Sequence, residues 1–282
     1  MRPAEHTITW RRLLILCVVC LSAATGCVED LRTVPRLQRG LTLVLPGIDG
    51  YTLNIVNLAR GLDDGGVPGA IEVFDWSGGD IFTNLTDVVR NRAMAQRVAR
   101  RIARYRKAYG DQPVWLVGHS GGAGIALMTA ESLPQGAPPI EGAILLAAAV
   151  SPYRDLSPAL ARIRHGVWNC YSPHDVFLNV GTTVAGDMDR DFGPAAGAIG
   201  FRSTTTRPVG SQPADAPRLI EIPFHPSMVV QGHYGGHFGW TARKFAATTL
   251  APIIIEHRGT TQVIVPAPPV GSVSPVNDIH QP

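Results

Sequence analysis

Residues 118–122 read Gly-His-Ser-Gly-Gly, so that Ser120 has a glycine two positions away on either side. The preceding run, residues 113–117, is short, apolar and rich in β-forming types, and residues 123–133 have a helical composition. A serine on a strand-to-helix turn is typical of a nucleophile elbow, in which a strained backbone holds the hydroxyl out for attack. The glycines allow the strand and the helix to approach without a Cβ clash. Ser120 is therefore the candidate nucleophile.

A serine hydroxyl is a weak nucleophile at neutral pH unless a histidine takes its proton and an acid orients that histidine. The chain carries both types beyond Ser120. Asp175 directly follows the apolar run at residues 166–171, and His237 lies in a glycine-rich run between the last predicted strand and the last predicted helix. These two residues are the preferred acid and base.

Other residues compete for both roles. His233 precedes His237 by four positions and is the alternative base, whereas Asp155, and after it Asp187, are alternative acids. Asp155 follows the fourth predicted strand. A metal site formed by His225, His233 and His237 is conceivable, but their spacing matches no common zinc pattern, and we expect no metal.

Apolar runs alternate with helical patterns along most of the chain, as in parallel strands joined by crossover helices. Six strands are predicted, at residues 41–45, 70–74, 114–117, 142–147, 166–171 and 219–222. Helices are predicted at residues 52–62, 87–109, 123–133, 157–163 and 239–250. The predicted fold class is α/β, a three-layer sandwich with a mostly parallel sheet of about six strands and helices on both faces.

From residue 41 to residue 255 the chain resembles the α/β-hydrolase family in motif, element order and size. Members of this family carry a serine, an acid and a histidine in that chain order, each after a strand. The resemblance implies that Ser120 is the nucleophile, that His237 acts as general base and then as general acid, and that Asp175 orients the imidazole.

The resemblance also implies an oxyanion hole made of two backbone N–H groups. One belongs to Gly121, and the other belongs to Ile48 in the glycine-containing loop at residues 46–50. The segment at residues 148–165 is too short for a large cap domain. The longest irregular stretch, residues 176–217, is expected to form one wall of an acyl pocket.

The function implied by this resemblance is that of an esterase-like or lipase-like serine hydrolase. It would cleave carboxylic esters through an acyl-enzyme, with a small-molecule or lipid ester as substrate and without a cofactor. A thioesterase, amidase or acyltransferase would use the same residues. The alternative from another class is a non-catalytic protein of the cell envelope that binds a ligand on the same fold.

The first 26 residues have the form of a bacterial signal peptide, with Arg11 and Arg12 before an apolar stretch at residues 13–24. The stretch ends in Ala-Thr-Gly-Cys, which resembles a lipobox and predicts lipidation of Cys27. The protein is then expected to be exported to the periplasmic or outer face of a bacterial membrane, anchored there as a lipoprotein. Ordinary cleavage nearby would instead release a soluble exported protein.

The sequence divides into four segments: the signal peptide at residues 1–26, a linker at 27–40, the hydrolase domain at 41–257 and a disordered tail at 258–282. The whole chain has a formal net charge of +3, which falls to +1 once the signal peptide is removed. This near-neutral balance, without a recognised motif, argues against nucleic-acid binding. The arginine-rich helix at residues 87–109 is best interpreted as an amphipathic surface helix.

Overall fold

The computed structural model of the protein describes residues 31–78, 81–202 and 218–258. The signal peptide, Cys27 and the tail beyond residue 258 lie outside these residues. None of the described helices is both long enough and apolar enough to cross a bilayer.

Within the described residues, a single parallel sheet of six strands forms the centre of the fold. Its strands are β1 (Leu41–Leu45), β2 (Ala70–Val73), β3 (Val114–His119), β4 (Ile140–Leu146), β5 (Ile163–Tyr171) and β6 (Arg218–Pro223). They lie in the order β2-β1-β3-β4-β5-β6, and every neighbouring pair is parallel. All six predicted strands are therefore confirmed, with bounds that differ by a few residues at most.

The helices on both faces of the sheet explain why its central strands are buried throughout and mostly apolar. Every residue of β1, β3 and β4 is buried, as is usual for strands that are covered on both sides. The helices up to the fourth crossover are α1 (Val34–Leu37), α2 (Leu53–Asp64), α3 (Ile81–Thr86), α4 (Val88–Tyr109), α5 (Gly121–Glu131) and α6 (Ser157–Leu160). No cap domain lies between β4 and β5, because α6 is the only helix in that described connection.

The arginine-rich helix has the predicted amphipathic form. Its buried stripe includes Ala95, Val98, Ile102 and Tyr105, and the Asp87 carboxylate accepts a hydrogen bond from the backbone N–H of Arg90 at 2.9 Å. This contact caps the helix by satisfying a donor in the first turn.

The connection after β5 is more ordered than the sequence suggested. Its described part contains a π-helical turn (Phe177–Gly181), α7 (Thr182–Ala185) and α8 (Ala196–Ile199). The prediction of an irregular stretch was therefore wrong for these residues. Glycines close the short helices, since Gly186 and Gly200 have φ values of 79° and 77°, a backbone region that disfavours other residues.

The last predicted helix is a series of shorter helical segments. These are a 3₁₀ segment (His237–Thr241), α9 (Arg243–Phe245), a π-helical turn (Ala246–Leu250) and α10 (Ala251–Glu256). A further 3₁₀ segment (Pro226–Gln231) precedes the predicted range. Pro252 lies at the start of α10, where it cannot donate a backbone hydrogen bond. A wider turn just before a proline accommodates its ring, so the single regular helix expected here was wrong.

Part of the segment predicted as a linker packs on the domain. Within α1, the Arg36 guanidinium bonds to the carbonyl oxygen of Gly69 at 3.0 Å and to the Asp63 carboxylate at 2.6 Å. Leu31 is buried in the core. Residues 31–40 therefore behave as part of the folded unit.

Candidate active site

Ser120 occupies a strained turn between β3 and α5. Its φ of 54° and ψ of −121° lie in a backbone region that residues other than glycine rarely adopt. A backbone hydrogen bond to the neighbouring strand holds the turn, because the N–H of Ser120 donates to the carbonyl oxygen of Leu146, at the end of β4, at 2.8 Å. A Cβ at Gly122 would lie 2.2 Å from the carbonyl oxygen of Leu45, so only glycine fits there.

Asp175 and His237 form a buried pair in the connections that follow two neighbouring strands, β5 and β6. The Asp175 carboxylate accepts a hydrogen bond from Nδ1 of His237 at 2.7 Å, and its other oxygen accepts one from the backbone N–H of Leu178 at 3.0 Å. Asp175 is fully buried. Since Nδ1 of His237 carries the proton in this pair, Nε2 is the nitrogen left to accept one.

A serine between the two loops ties them together. The hydroxyl of Ser172, next to the end of β5, donates to the carbonyl oxygen of Gly235 at 2.6 Å. This contact joins the loop that carries Asp175 to the loop that carries His237. The two side chains are therefore held in register by the loops as well as by their own hydrogen bond.

His119 brings the His237 loop against the serine turn. Nε2 of His119 donates to the backbone carbonyl oxygen of His237 at 3.1 Å, and the two ring centroids are 4.8 Å apart. Burial, and secondly the neighbouring imidazole of His237, lowers the pKa of His119 to about 3. His119 is therefore neutral at pH 7 and acts as a hydrogen-bond donor.

No hydrogen bond joins the Ser120 hydroxyl to His237 among the described residues. In enzymes without substrate this bond is often long and shortens only when substrate binds. The hydroxyl belongs to the residue directly after His119, whose ring contacts the imidazole of His237. The serine and the histidine thus come from adjacent parts of the same surface.

The loop after β1 meets the serine turn with free backbone donors. Among the described residues, the N–H groups of Ile48 and Gly121 donate to no acceptor. A Cβ at Gly121 would lie 2.7 Å from Cγ2 of Ile48, so the two segments are in direct contact. An unpaired N–H group at the start of α5 and a second one on the adjoining loop are well suited to bind a developing oxyanion.

Two buried side chains hold that loop in place. The indole N–H of Trp76 donates to the carbonyl oxygen of Pro46 at 2.7 Å, and the Asn84 amide donates to the carbonyl oxygen of Ile48 at 2.9 Å. Sequence analysis missed both residues, as well as His119 and Ser172 in their positioning roles. A buried tryptophan with a polar tip requires a hydrogen-bond acceptor, but the sequence does not reveal which one.

The order of strands places these parts at one edge of the sheet. The Ile48 loop and Ser120 follow β1 and β3, the neighbouring strands between which the strand order changes direction. In open α/β sheets the carboxyl ends of strands at this point form the usual ligand site. Asp175 and His237 follow β5 and β6 in turn. The chain has the α/β-hydrolase fold.

Solved structures with the α/β-hydrolase fold resemble the chain at low sequence identity. A proposed α/β-superfamily hydrolase from Xanthomonas campestris pv. campestris is 18% identical, with 77% of this chain and 99% of that chain covered and a TM-score of 0.44. Est1E from Butyrivibrio proteoclasticus is 11% identical, with coverages of 80% and 91% and a TM-score of 0.48. A monoacylglycerol lipase from Paleococcus ferrophilus is 11% identical, with coverages of 78% and 95% and a TM-score of 0.43. Neither protein-family models nor curated protein sequences gave a match.

The alternative base, His233, lies in an apolar environment within this α/β-hydrolase fold. Its ring packs on Trp240 and Phe224, with centroid distances of 4.0 Å and 4.8 Å, and its Nδ1 accepts from the backbone N–H of Gly235. Burial lowers its pKa to about 4. His233 makes no hydrogen bond to a carboxylate among the described residues, in contrast to His237.

The alternative acids serve local structure. Asp155 is exposed and accepts a hydrogen bond from the backbone N–H of Ser157 at 2.9 Å, at the start of α6. Asp187 is buried and accepts from the backbone N–H groups of Asp189 and Asp191. Burial raises the pKa of Asp187 to about 6. Neither carboxylate pairs with His237, whose Nδ1 bonds to Asp175.

An open groove of about 430 Å³ leads to His237. Val176, Phe177 and Phe238 are among its lining residues, so that part of the segment expected to line an acyl pocket does line this groove. The volume lies within the range of about 300–1,000 Å³ that is usual for small-molecule sites. The described residues contain no group of three or more His, Cys, Asp or Glu side chains arranged to hold a metal ion.

Proposed function

We propose that this protein is a serine hydrolase that cleaves carboxylic esters through an acyl-enzyme. The observation that carries the proposal is the buried hydrogen bond of 2.7 Å between Asp175 and His237, on loops beside a serine with a φ of 54°. A strained serine turn without a paired histidine would be compatible with a purely structural role. The pair supplies the base and the acid that a serine nucleophile requires.

In the proposed reaction, the oxygen of Ser120 attacks the ester carbonyl carbon while Nε2 of His237 takes its proton. The negative charge that forms on the carbonyl oxygen is stabilised by the N–H groups of Gly121 and Ile48, each contributing about 3–4 kcal/mol to lowering the barrier. The bond to the leaving alcohol then breaks, and His237 returns the proton to that alcohol. Water repeats the sequence on the acyl-enzyme and releases the carboxylic acid.

Asp175 keeps the imidazole in the tautomer and orientation that this proton transfer requires. The positive charge that His237 gains in each step lies next to the Asp175 carboxylate, which stabilises it. Because both carboxylate oxygens of Asp175 already accept hydrogen bonds, the side chain has little freedom to turn away.

A fluorophosphonate probe tests the proposal directly. We expect it to label one serine, Ser120, and we expect Ser120→Ala to abolish both labelling and ester turnover. The chain offers a matched control in Ser227, an exposed serine whose hydroxyl lies 2.8 Å from Nδ1 of His225. Ser227→Ala should retain labelling and turnover. Intact mass without an adduct after prolonged exposure to the probe would overturn the proposal.

A comparison of kcat/KM for activated esters, thioesters and anilides of one acyl chain tests which leaving group the protein prefers. We propose ester hydrolysis as the main activity, so kcat/KM should be highest for the oxygen ester. A higher kcat/KM for the thioester or the anilide would change the assignment to a thioesterase or an amidase, with the same three residues.

We also propose, from the sequence, that the protein is exported and lipidated at Cys27. Radiolabelled fatty acid should be incorporated into the full chain when it is expressed in a bacterium with lipoprotein processing. Cys27→Ser should abolish that incorporation, and Cys170→Ser, which changes a buried free thiol, should not. Incorporation into the Cys27→Ser protein would contradict the assignment.

A further inference from the structure

Exposed apolar side chains are concentrated at one edge of the molecule. Of the sixteen large apolar side chains that are exposed in the described residues, fourteen lie in the segments that follow the carboxyl ends of the strands. The other two, Val34 and Ile255, lie in α1 and α10. The same edge carries Ser120, Asp175 and His237, so the apolar side chains lie on the same side of the sheet as the candidate active site.

One helical segment in this surface has its apolar face turned outwards. Val176, Val180 and Val184 recur every four residues, and their side chains are 68%, 57% and 76% exposed. Leu178 and Thr182, on the opposite side, are buried. A helix that only covered a core would bury its valines, so this arrangement points to a surface that docks on something apolar.

A second segment continues the same surface. Val230 is 74% exposed, and Phe238 lies with its ring centroid 5.8 Å from that of Phe177. Phe177 is also 5.4 Å from the ring of His237. The two segments therefore meet at the mouth of the groove that leads to the candidate base.

Neither segment carries a formal charge. Residues 176–186 and 222–242 contain no Asp, Glu, Lys or Arg, although these types make up 17% of the chain. A protein partner held by ion pairs, or a membrane recognised by its anionic headgroups, would require charges in this surface. The composition instead favours an apolar and electrically neutral occupant.

We propose that the apolar surface formed by these two uncharged segments, residues 176–186 and 222–242, docks on the surface of an uncharged lipid aggregate, from which the groove takes its ester substrate. The inference deepens the proposed function, on which it rests, by assigning its substrate to the lipid esters. The position of the groove distinguishes a lipid surface from a protein as the occupant of this surface. A second copy or another protein seated on these residues would cover the groove mouth, whereas a lipid surface fills it with substrate.

Vesicle binding by a catalytically inactive protein tests the docking step. The test variant is Val180→Ser/Val184→Ser, and the matched control is Val34→Ser/Ile255→Ser, which changes the two exposed apolar residues outside this edge. Val180 and Val184 do not line the groove. All proteins are otherwise the complete chain with Ser120→Ala and Cys27→Ser, so that the leader contributes equally and the proposed lipid anchor is absent.

We expect the partition coefficient on neutral phosphatidylcholine vesicles to fall about tenfold or more for the test variant, because it removes apolar area that docking would bury. The control variant should bind like the parent. Raising the salt concentration should not weaken the binding, since no charged group of this surface takes part. Equal binding of test and control variants would overturn the proposal.

Activity measurements with Ser120 restored complete the test. On a short ester that stays dissolved, the test variant should match the parent, and on a long-chain ester above its aggregation limit its rate should fall about tenfold, in line with its lower partition coefficient. Equal rates on the aggregated ester would overturn the proposal. If the parent binds vesicles but hydrolyses neither ester, the proposed function fails while docking stands.

Two other results would also overturn the proposal, and each points to a different occupant. Binding that requires anionic lipid and disappears with salt would assign the contact to the arginine-rich face of α4. A dimer in light scattering that the test variant dissociates would assign the apolar surface to a second copy of the chain.

Discussion

At the scale of single residues, the two candidate acids differ in what their carboxylates contact. Asp175→Asn would remove the charge that stabilises protonated His237 and would favour the wrong tautomer, so we expect kcat to fall by about 10³-fold or more. Asp155→Asn is the matched control, because its carboxylate contacts the start of α6. We expect it to retain kcat. Steady-state kinetics on a soluble ester measure both, and the reverse outcome would transfer the role to Asp155.

His119 is a positioning residue that acts through His237. His119→Phe keeps an aromatic ring but removes the N–H that donates to the His237 carbonyl oxygen, and we expect about a tenfold loss of kcat with little change in KM. His119→Gln can place an N–H near the former Nε2 and should restore part of that loss. Equal kcat values for the Phe and Gln variants would show that the hydrogen bond has no such role.

At the scale of elements, the loop after β1 depends on its buried supports. Trp76→Phe would retain most of the apolar packing but leave the carbonyl oxygen of Pro46 without its donor. We expect the Ile48 N–H to be less well placed, and kcat to fall about tenfold at unchanged KM, because an oxyanion donor acts mainly in the transition state. Steady-state kinetics of the purified variant provide the check. A loss confined to KM would argue against this role.

The elements themselves could largely be predicted from sequence, because each strand is a short apolar run and the long α4 carries a clear buried stripe. The helical segments between Phe177 and Glu256 could not. Their form depends on Pro252, on glycines at their ends and on packing against other elements, none of which produces a simple periodicity.

The candidate site likewise contains some residues that the sequence predicts and others that it does not. Ser120, Asp175 and His237 stand out in the sequence because each follows a strand and its residue type has chemistry of its own. Trp76, Asn84, His119 and Ser172 do not, because their importance comes from a backbone carbonyl that only the folded chain brings within reach. Hydrogen bonds across dozens of residues cannot be inferred from local composition.

At the scale of the whole molecule, buried histidines make stability depend on pH. His233 has a folded pKa of about 4, below its unfolded value of about 6.5, so as pH falls the unfolded chain binds a proton that the folded chain does not. The contribution of neutral His233 to the free energy of unfolding is complete above pH 6.5. As the pH falls towards 4, this contribution is lost by about 1.4 kcal/mol per pH unit. His119 acts in the same direction, and Asp187 acts in the opposite direction.

Comparison with His233→Asn isolates this effect, since asparagine can accept the Gly235 N–H but does not titrate. We expect the variant to be less stable at pH 7.5. The difference in unfolding free energy from the parent should shrink by about 1.4 kcal/mol for each pH unit between 6.5 and 4.5. Urea unfolding at several pH values measures it. A difference that stays constant with pH would mean that His233 is not buried in its neutral form.

The candidate site is assembled from parts that are far apart in the sequence. The hydrogen bond between Asp175 and His237 spans 62 positions, and the one between His119 and the His237 backbone spans 118. Contacts of such long range form late in folding, after the local helices and the first strand pairs. Under the proposed function, a chain emerging from a ribosome would therefore gain its activity only after its C-terminal quarter had emerged and docked.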